Sequence, residues 1–377
     1  MMDIRVPFVE RHKAKNEVKY VLDALAQPFI DDKGKYTGMC QEYIQREFKC
    51  KKAILTQTGF VAIYLSFLAL KVSPGDEIII SSYSCPSVLN CVLLMGATPI
   101  LCGVDEMGIM TMANIERATS AKTKAIVVNH HGGYENDIIK LANYCESKDI
   151  CLIEDCATAY GSMLNNRRLG TFGSFAILSF NDKKDLCSGE GGALLVNDSR
   201  YEDVLCHLSK NGIIRPNNIP QWIGMGFSNK VSDVVSSVIY AQLEDAETII
   251  ANKRAICTYY REKLGQYANS MTFQIPHTEM GFLHNGNMFF LLFKDPCMKH
   301  QLKKFLLENG IVSLAHYGTL ETNDFSAICC DGTDGGRGFD ERMLRLPVYT
   351  SMSLEAAEYV VECILSFLKL VAQKGEI

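Results

Sequence analysis

Residues 74–104 read PGDEIIISSYSCPSVLNCVLLMGATPILCGV. Pro74, Gly75, Asp76 and Glu77 make a turn, since proline presets φ and glycine tolerates a reversal of the chain. Ile78–Ser81 is short, apolar and rich in β-branched residues, and reads as a buried strand. Val88–Met95 is long enough for a helix, and Pro99–Val104 is a second apolar strand. A strand, a helix and a strand in so short a stretch specify parallel strands joined by a crossover helix.

The alternation runs outward from there. Residues 14–25 form an amphipathic helix with Val18, Val21, Leu22 and Leu25 on one face. A Gly-containing loop follows, then a helix from about Met39 to Phe48, a strand at Ala53–Thr56 and a helix at Val61–Leu70. On the other side come a helix at Met112–Thr119, a strand at Ala125–Asn129, a helix at Asp137–Ser147 and a strand at Cys151–Ile153. Apolar strands alternating with helices predict an α/β fold with a mainly parallel sheet, whose ligand sites lie at the carboxyl ends of the strands. The residues at those ends are Thr58-Gly59, Ser82–Cys85, His130, Asp155 and Asn181–Lys184.

Past Gly226 the pattern changes. Val234–Tyr259 reads as one long helix of the kind that bridges domains, followed by a strand at Met288–Phe293, a helix at Met298–Glu308, a strand at Ile311–Ser313 and a last helix at Leu354–Ala372. The expected division is a large α/β domain over 1–245 and a small α+β domain over 246–377.

Composition excludes several classes. Hydrophobic residues make up 47% and charged residues 21%, an ordinary globular profile with enough apolar material for a large core. The net charge is −5 and no Lys/Arg run is present, which argues against nucleic-acid binding. No apolar stretch reaches the length of a membrane span, and MMDIRVPFVERHK has no apolar segment of the signal-peptide kind. The 15 cysteines are odd in number and scattered, without CxxC pairs or zinc spacing, so reduced thiols in a cytoplasmic protein and no metal centre are expected.

Three features carry chemistry. Ile153-Glu154-Asp155 ends a buried strand with two acids, Ser179–Lys184 ends another with a lysine, and Gly189-Glu190-Gly191-Gly192 follows as tight backbone. Singly, each has an ordinary reading as a cap, a solvated side chain or a turn. Taken with T-G-F (58–60), PGDE (74–77), GATP (96–99), IEDCATAYGS (153–162), LGTFGS (169–174), SFNDKKDLCSGEGG (179–192), GFSNKVSD (226–233), HY (316–317) and LRLP (344–347), they make the whole chain resemble the DegT/DnrJ/EryC1/StrS sugar aminotransferases. The ending HY…LRLPVYTSMS is similar to the branch that aminates C4 of dTDP-4-keto-6-deoxyglucose.

The resemblance implies the pyridoxal-phosphate fold type I, like aspartate aminotransferase, with a seven-stranded sheet. It implies a homodimer with active sites at the interface. It also implies transfer of an amino group, with L-glutamate as donor, to a keto group of a nucleotide-linked sugar such as a dTDP-4-keto-6-deoxyhexose. The setting would be cell-surface polysaccharide or natural-product biosynthesis. Lys184 matches the lysine that holds pyridoxal 5′-phosphate as a Schiff base and shuttles a proton, and Lys183 is its neighbouring competitor. Asp155 matches the carboxylate that pairs with the pyridine nitrogen, while Glu154 would face the other way. Gly59 and Phe60 open a helix whose N–H groups suit a phosphate, and Ser179 supplies a hydroxyl.

The chain departs from the family pattern around this centre. Thr58-Gly59-Phe60 stands for Ser-Gly-Thr. Cys85 stands where a ring covers the cofactor, so Tyr83 or another residue would have to cover that face. Thr158 replaces a glutamine, and Ser228, with Asn229 beside it, replaces the asparagine that reaches the partner's phosphate. His316-Tyr317-Gly318-Thr319-Leu320-Glu321 keeps only the start of HYxPLH. His130, Tyr160, His316 and Tyr317 are candidate substrate contacts. His130 could equally be structural and Tyr160 could be packing, while Trp222 suits interface packing and Glu190 a structural role. Two other readings stay open: a pyridoxal-phosphate sugar dehydratase, against which Lys184 argues, and a non-catalytic or regulatory member of the fold.

Overall fold

The computed structural model describes residues 3–268, 272–315, 318–321 and 335–373. Seven strands form the central sheet: β1 (Lys52–Thr56), β2 (Glu77–Ser81), β3 (Thr98–Cys102), β4 (Thr123–Asn129), β5 (Cys151–Asp155), β6 (Phe175–Ser179) and β7 (Gly192–Val196), in the order β1-β7-β6-β5-β4-β2-β3. β2 pairs in parallel with β3 and β4, β4 with β5, and β5 with β6. Only β7 runs against its neighbours, pairing antiparallel with β6 and β1. The mainly parallel sheet expected from the strand–helix alternation is therefore present.

The helices that cover the sheet are α1 (Glu17–Ala26), α2 (Lys35–Phe48), α3 (Gly59–Ala69), α4 (Pro86–Leu94), α5 (Met112–Ala118), α6 (Ile138–Lys148), α7 (Glu202–Leu208) and α8 (Asp233–Glu244). Strand side chains alternate between faces. Ile79, Ile126 and Leu152 pack into one buried cluster, and their neighbours Ile78, Val127 and Ile153 pack into another against α3 and α4. Both faces are buried, which is why the strands read as unbroken apolar runs.

Beyond α8 lie α9 (Ala246–Ala268), α10 (Pro296–Glu308), α11 (Gly335–Arg342) and α12 (Leu354–Gln373), with a small antiparallel sheet of β8 (Phe273–Gln274), β9 (Phe290–Phe293) and β10 (Met343–Arg345) in that order. A third apolar cluster joins these elements, including Tyr260, Phe289, Phe293, Leu302 and Ile364, and also takes in Val6. Among the described residues no helix is long and apolar enough to cross a membrane.

Three local expectations are corrected. The long helix over 234–259 is two helices, broken at Asp245, whose carboxylate is turned onto His12 Nε2 and Lys15 N at 3.0 Å each. Ile311–Ser313 is not a strand, since Ile311 and the following Leu314 make only isolated bridges, to Val6 and Arg345. The stripe on α1 faces outward, with Val18, Leu22 and Leu25 58–74% exposed, while Ala24 is buried and Tyr20 packs on Tyr36 and Tyr240.

Candidate active site

A cavity of about 700 Å³ opens at the carboxyl ends of the parallel strands. That volume lies within the usual range for a small-molecule site. Thr58, Gly59, Phe60, Cys85, Asp155, Thr158, Ser179 and Lys184 all line it. The parallel topology is what gathers these separate segments, because each follows or ends a strand pointing the same way.

Thr58 caps α3, its hydroxyl accepting from Val61 N at 3.2 Å. The N–H groups of Gly59 and Phe60 fall in the first turn, where they have no intrahelical acceptor and suit an anion. Ser179 lies against this helix end: a Cβ built on Gly59 would stand 3.2 Å from its Cβ. Gly192 is forced by the same crowding, since a Cβ there would meet Thr58 C at 2.5 Å.

Asp155 ends β5 and is 6% exposed. Its Oδ1 accepts from Ala157 N at 3.0 Å. Burial pushes its carboxyl up, opposed by that hydrogen bond, by the Lys184 charge and by the nearby His130 ring. Lys184 is half-buried in the loop after β6, its N–H donating to Asn181 O at 3.0 Å, whereas Lys183 is exposed. Of the two lysines, Lys184 is the one that interacts with Asp155.

Glu154 points away from the cavity, as alternation along the strand requires. Its Oε1 accepts from Phe172 N at 2.6 Å and Gly173 N at 2.7 Å, and its Oε2 from Gly170 N at 2.7 Å. His130 Nε2 completes the set at 3.0 Å from Oε2, with both side chains fully buried. Asn136 Nδ2 faces His130 Nδ1 at 3.5 Å, so the Nε2 proton is the one aimed at Glu154. Cys156 lies close enough to complete a possible metal-binding trio within 4.8 Å. However, Glu154 already serves four donors, and burial pushes the Cys156 thiol well above its ordinary range. Glu154, His130 and the three backbone N–H groups form a hydrogen-bonded hub, with the Cys156 thiol beside it.

The assignment of His130 to substrate is therefore corrected, because its ring is spent behind the sheet. Tyr160 is also off the cavity wall, buried edge-on against Phe48 at 5.7 Å. Thr158 reaches the wall, but its hydroxyl donates to His130 O at 3.1 Å. Tyr83 does not cover the Cys85 face, being fully buried edge-on to His131 and Phe339. Ser228 is exposed, and Asn229 is buried with its Nδ2 on Leu55 O at 2.7 Å; neither lines this cavity. Glu190 is an exposed lining residue, and Trp222 is 74% exposed. His316 and Tyr317 lie outside the described residues.

Sequence reasoning missed several lining residues. Asp185, Lys253, Asn287 and Arg345 reach the wall, as does the segment Phe8–His12. One signal was available: the polar run His284-Asn285-Gly286-Asn287 is set between apolar residues. His284 stacks on Tyr134 at 4.1 Å, accepts from Gly286 N at 3.1 Å and faces Gly132 O at 2.8 Å. Burial lowers its pKa to about 3, the carbonyl contact only partly opposing this, so it is neutral at pH 7.

The chain matches the model of the DegT/DnrJ/EryC1/StrS aminotransferase family over residues 11–365. It is 27% identical to the GDP-perosamine synthase of Escherichia coli O157:H7, across 96% of this chain and 98% of that one. It is 26% identical to the dTDP-4-dehydro-2,3,6-trideoxy-D-glucose 4-aminotransferase of Saccharopolyspora spinosa, across 80% of each. In fold it superimposes on the aminotransferase TlmJ from Streptoalloteichus hindustanus with a TM-score of 0.89 at 24% identity, covering 98% of this chain and 100% of that one. The Helicobacter pylori aminotransferase PseC gives 0.87 at 19%, covering 96% and 98%.

Proposed function

Because the chain belongs to the DegT/DnrJ/EryC1/StrS aminotransferase family, we propose that it is a pyridoxal-phosphate enzyme that moves an amino group from L-glutamate to the keto group of a nucleotide-linked sugar. The observation that carries this is the convergence of Lys184, Asp155, Ser179 and the α3 N-terminus on one cavity. The residues fit the cofactor: helix N–H groups and a hydroxyl for a phosphate, a buried carboxylate for a ring nitrogen, an amine for an aldehyde. When bound, pyridoxal phosphate supplies that aldehyde and an electron-accepting ring.

Gly59, Phe60 and Ser179 would hold the phosphate end. Asp155 would hold a proton at the ring nitrogen, whose positive charge would offset the cost of burying the carboxylate. Lys184 Nζ would hold the group covalently and, once displaced, would carry a proton between the amine-bearing carbon of the substrate and the cofactor. The sugar is a 4-keto-6-deoxyhexose in this reading, linked to dTDP or to GDP, the nucleotide in the name of the Escherichia coli relative. A homodimer is proposed as well. Its support is the outward stripe of α1, the exposed Trp222, Ile223 and Met225, and the position of Ser228 and Asn229 off their own cavity. The division into 1–245 and 246–377 is proposed on the break at Asp245 and the separate apolar cluster beyond it.

Absorbance tests the reading. The purified protein should show a near-visible band that L-glutamate removes and a nucleotide keto-sugar restores. Dehydration of the sugar would favour the dehydratase, and absence of any band would leave the non-catalytic reading.

A further inference from the structure

Beside Lys184 the cavity wall holds a polar group that the chemistry above does not use. Asp185 turns its carboxylate onto Lys253 Nζ of α9 in an ion pair whose side chains are 8% and 7% exposed. Asn287 Nδ2 donates to both oxygens of that carboxylate at 3.0 Å each. All three residues line the cavity.

They come from three separate elements. Gly286 lets the last of these approach: its φ is +79°, and a Cβ there would stand 2.6 Å from Arg254 N. Arg254 Nε donates to His284 O at 2.6 Å. Asn285 Nδ2 donates to Thr158 O and Tyr160 O at 3.0 Å each. Residues 284–287 are thus braced against both α9 and the turn that follows Asp155.

A buried ion pair is a poor device for stability alone, since apolar residues of similar size would join the same elements at lower desolvation cost. What it does supply is fixed geometry and fixed charge. We propose that Asp185, Lys253 and Asn287 are positioning residues for Lys184, holding the direction in which its amine leaves the loop and balancing the field at its nitrogen. This rests on Lys184 being the covalent anchor of the cofactor.

Paired, the carboxylate and the ammonium nearly cancel. Removing one leaves the other uncompensated, so the two removals act in opposite directions on a proton held at the Lys184 nitrogen. The other charged groups around it are Asp155 on β5, Asp182, Lys183 and Glu190 on its own loop, and Arg345 on β10. The N-terminal segment adds Glu10, Arg11 and His12, bonded to Ser351, Glu17 and Asp245 respectively. None of these changes between the variants.

The experiment follows the near-visible band against pH, without amino donor, in the wild type, Asp185→Asn, Lys253→Met and the double variant. The expected midpoint falls by about one pH unit in Asp185→Asn, rises by about one in Lys253→Met and returns near the wild type in the double. The double variant, which leaves no buried charge unpaired and so folds even where a single variant does not, should still capture added pyridoxal phosphate about tenfold more slowly, because the positioning is lost. Midpoint shifts of the same sign, or a double variant with the wild-type midpoint and capture rate, overturn the proposal. A wild type with no band defeats the covalent reading itself, a separate outcome.

Discussion

Glu154→Gln probes the hub behind the sheet. The carboxylate accepts four hydrogen bonds between 2.6 and 3.0 Å and has no exposed surface. Hydrogen bonds to a charged group contribute roughly 1.5–3 kcal/mol each, and a buried donor left without an acceptor costs roughly 1–3 kcal/mol. Glutamine keeps the shape, but its amide oxygen can serve only two of the four donors as a neutral acceptor. Its NH₂ group then faces either the Phe172 and Gly173 amides or Gly170 N–H and His130 Nε2. Moving the His130 proton to Nδ1 gives no relief, because Asn136 Nδ2 already donates toward that atom. Two donors losing a charged acceptor, at roughly 1.5–3 kcal/mol each, give a net loss of about 3–6 kcal/mol. At roughly 2–4 °C per kcal/mol the melting temperature should fall by about ten degrees. Differential scanning calorimetry reads this, and the cofactor band of the folded variant should be unchanged. A drop of under about 3 °C, or loss of the band in protein that remains folded, would refute the hub.

Other outcomes follow from the same geometry. Lys184→Ala should abolish the near-visible band and Lys183→Ala should keep it; the reverse would shift the register by one residue. Asp155→Asn should slow the glutamate half-reaction by about a hundredfold, the low end for proton-transfer groups, and stopped-flow absorbance measures it. His284 has a folded pKa of about 3, below its ordinary unfolded value of about 6.5, so the unfolded chain binds the proton first. Its contribution is therefore fully present above pH 6.5 and is lost as pH falls toward 3, at about 1.4 kcal/mol per unit. Urea titrations at several pH values should show this slope reduced in His284→Gln, and an unchanged slope would contradict the buried neutral ring. Cys85→Phe should place a ring at the cofactor face and slow cofactor loss on dialysis about two- to tenfold, the range expected of one aromatic contact.

The strands and most helices were legible because their apolar periodicity is local. Thr58, Asp155 and Lys184 were legible as a set because residues at the carboxyl ends of parallel strands must meet, and Ser179 was legible through the family resemblance. Side-chain direction was legible only where alternation settles it, as for Glu154 against Asp155. It failed for His130, which follows β4 as a site residue should, yet turns behind the sheet onto Glu154. It failed also for α1, whose stripe is real as a pattern but faces outward, since periodicity says that a face exists and not what covers it.

By itself, then, the chain's order of residues determined the layered α/β architecture, the family resemblance, and Lys184 with Asp155 as a pair lining one cavity. Those follow from patterns read over a few residues or from motifs in register. The tertiary structure alone decided that Lys253 and Asn287, 68 and 102 residues away, close on Asp185 beside that lysine. It alone decided that Asp245 breaks the bridging helix and that Thr158 bonds backbone. The physical reason is common to all of these: a charge or hydroxyl takes the partner that folding brings within 3 Å or so, and that partner is set by packing between distant segments.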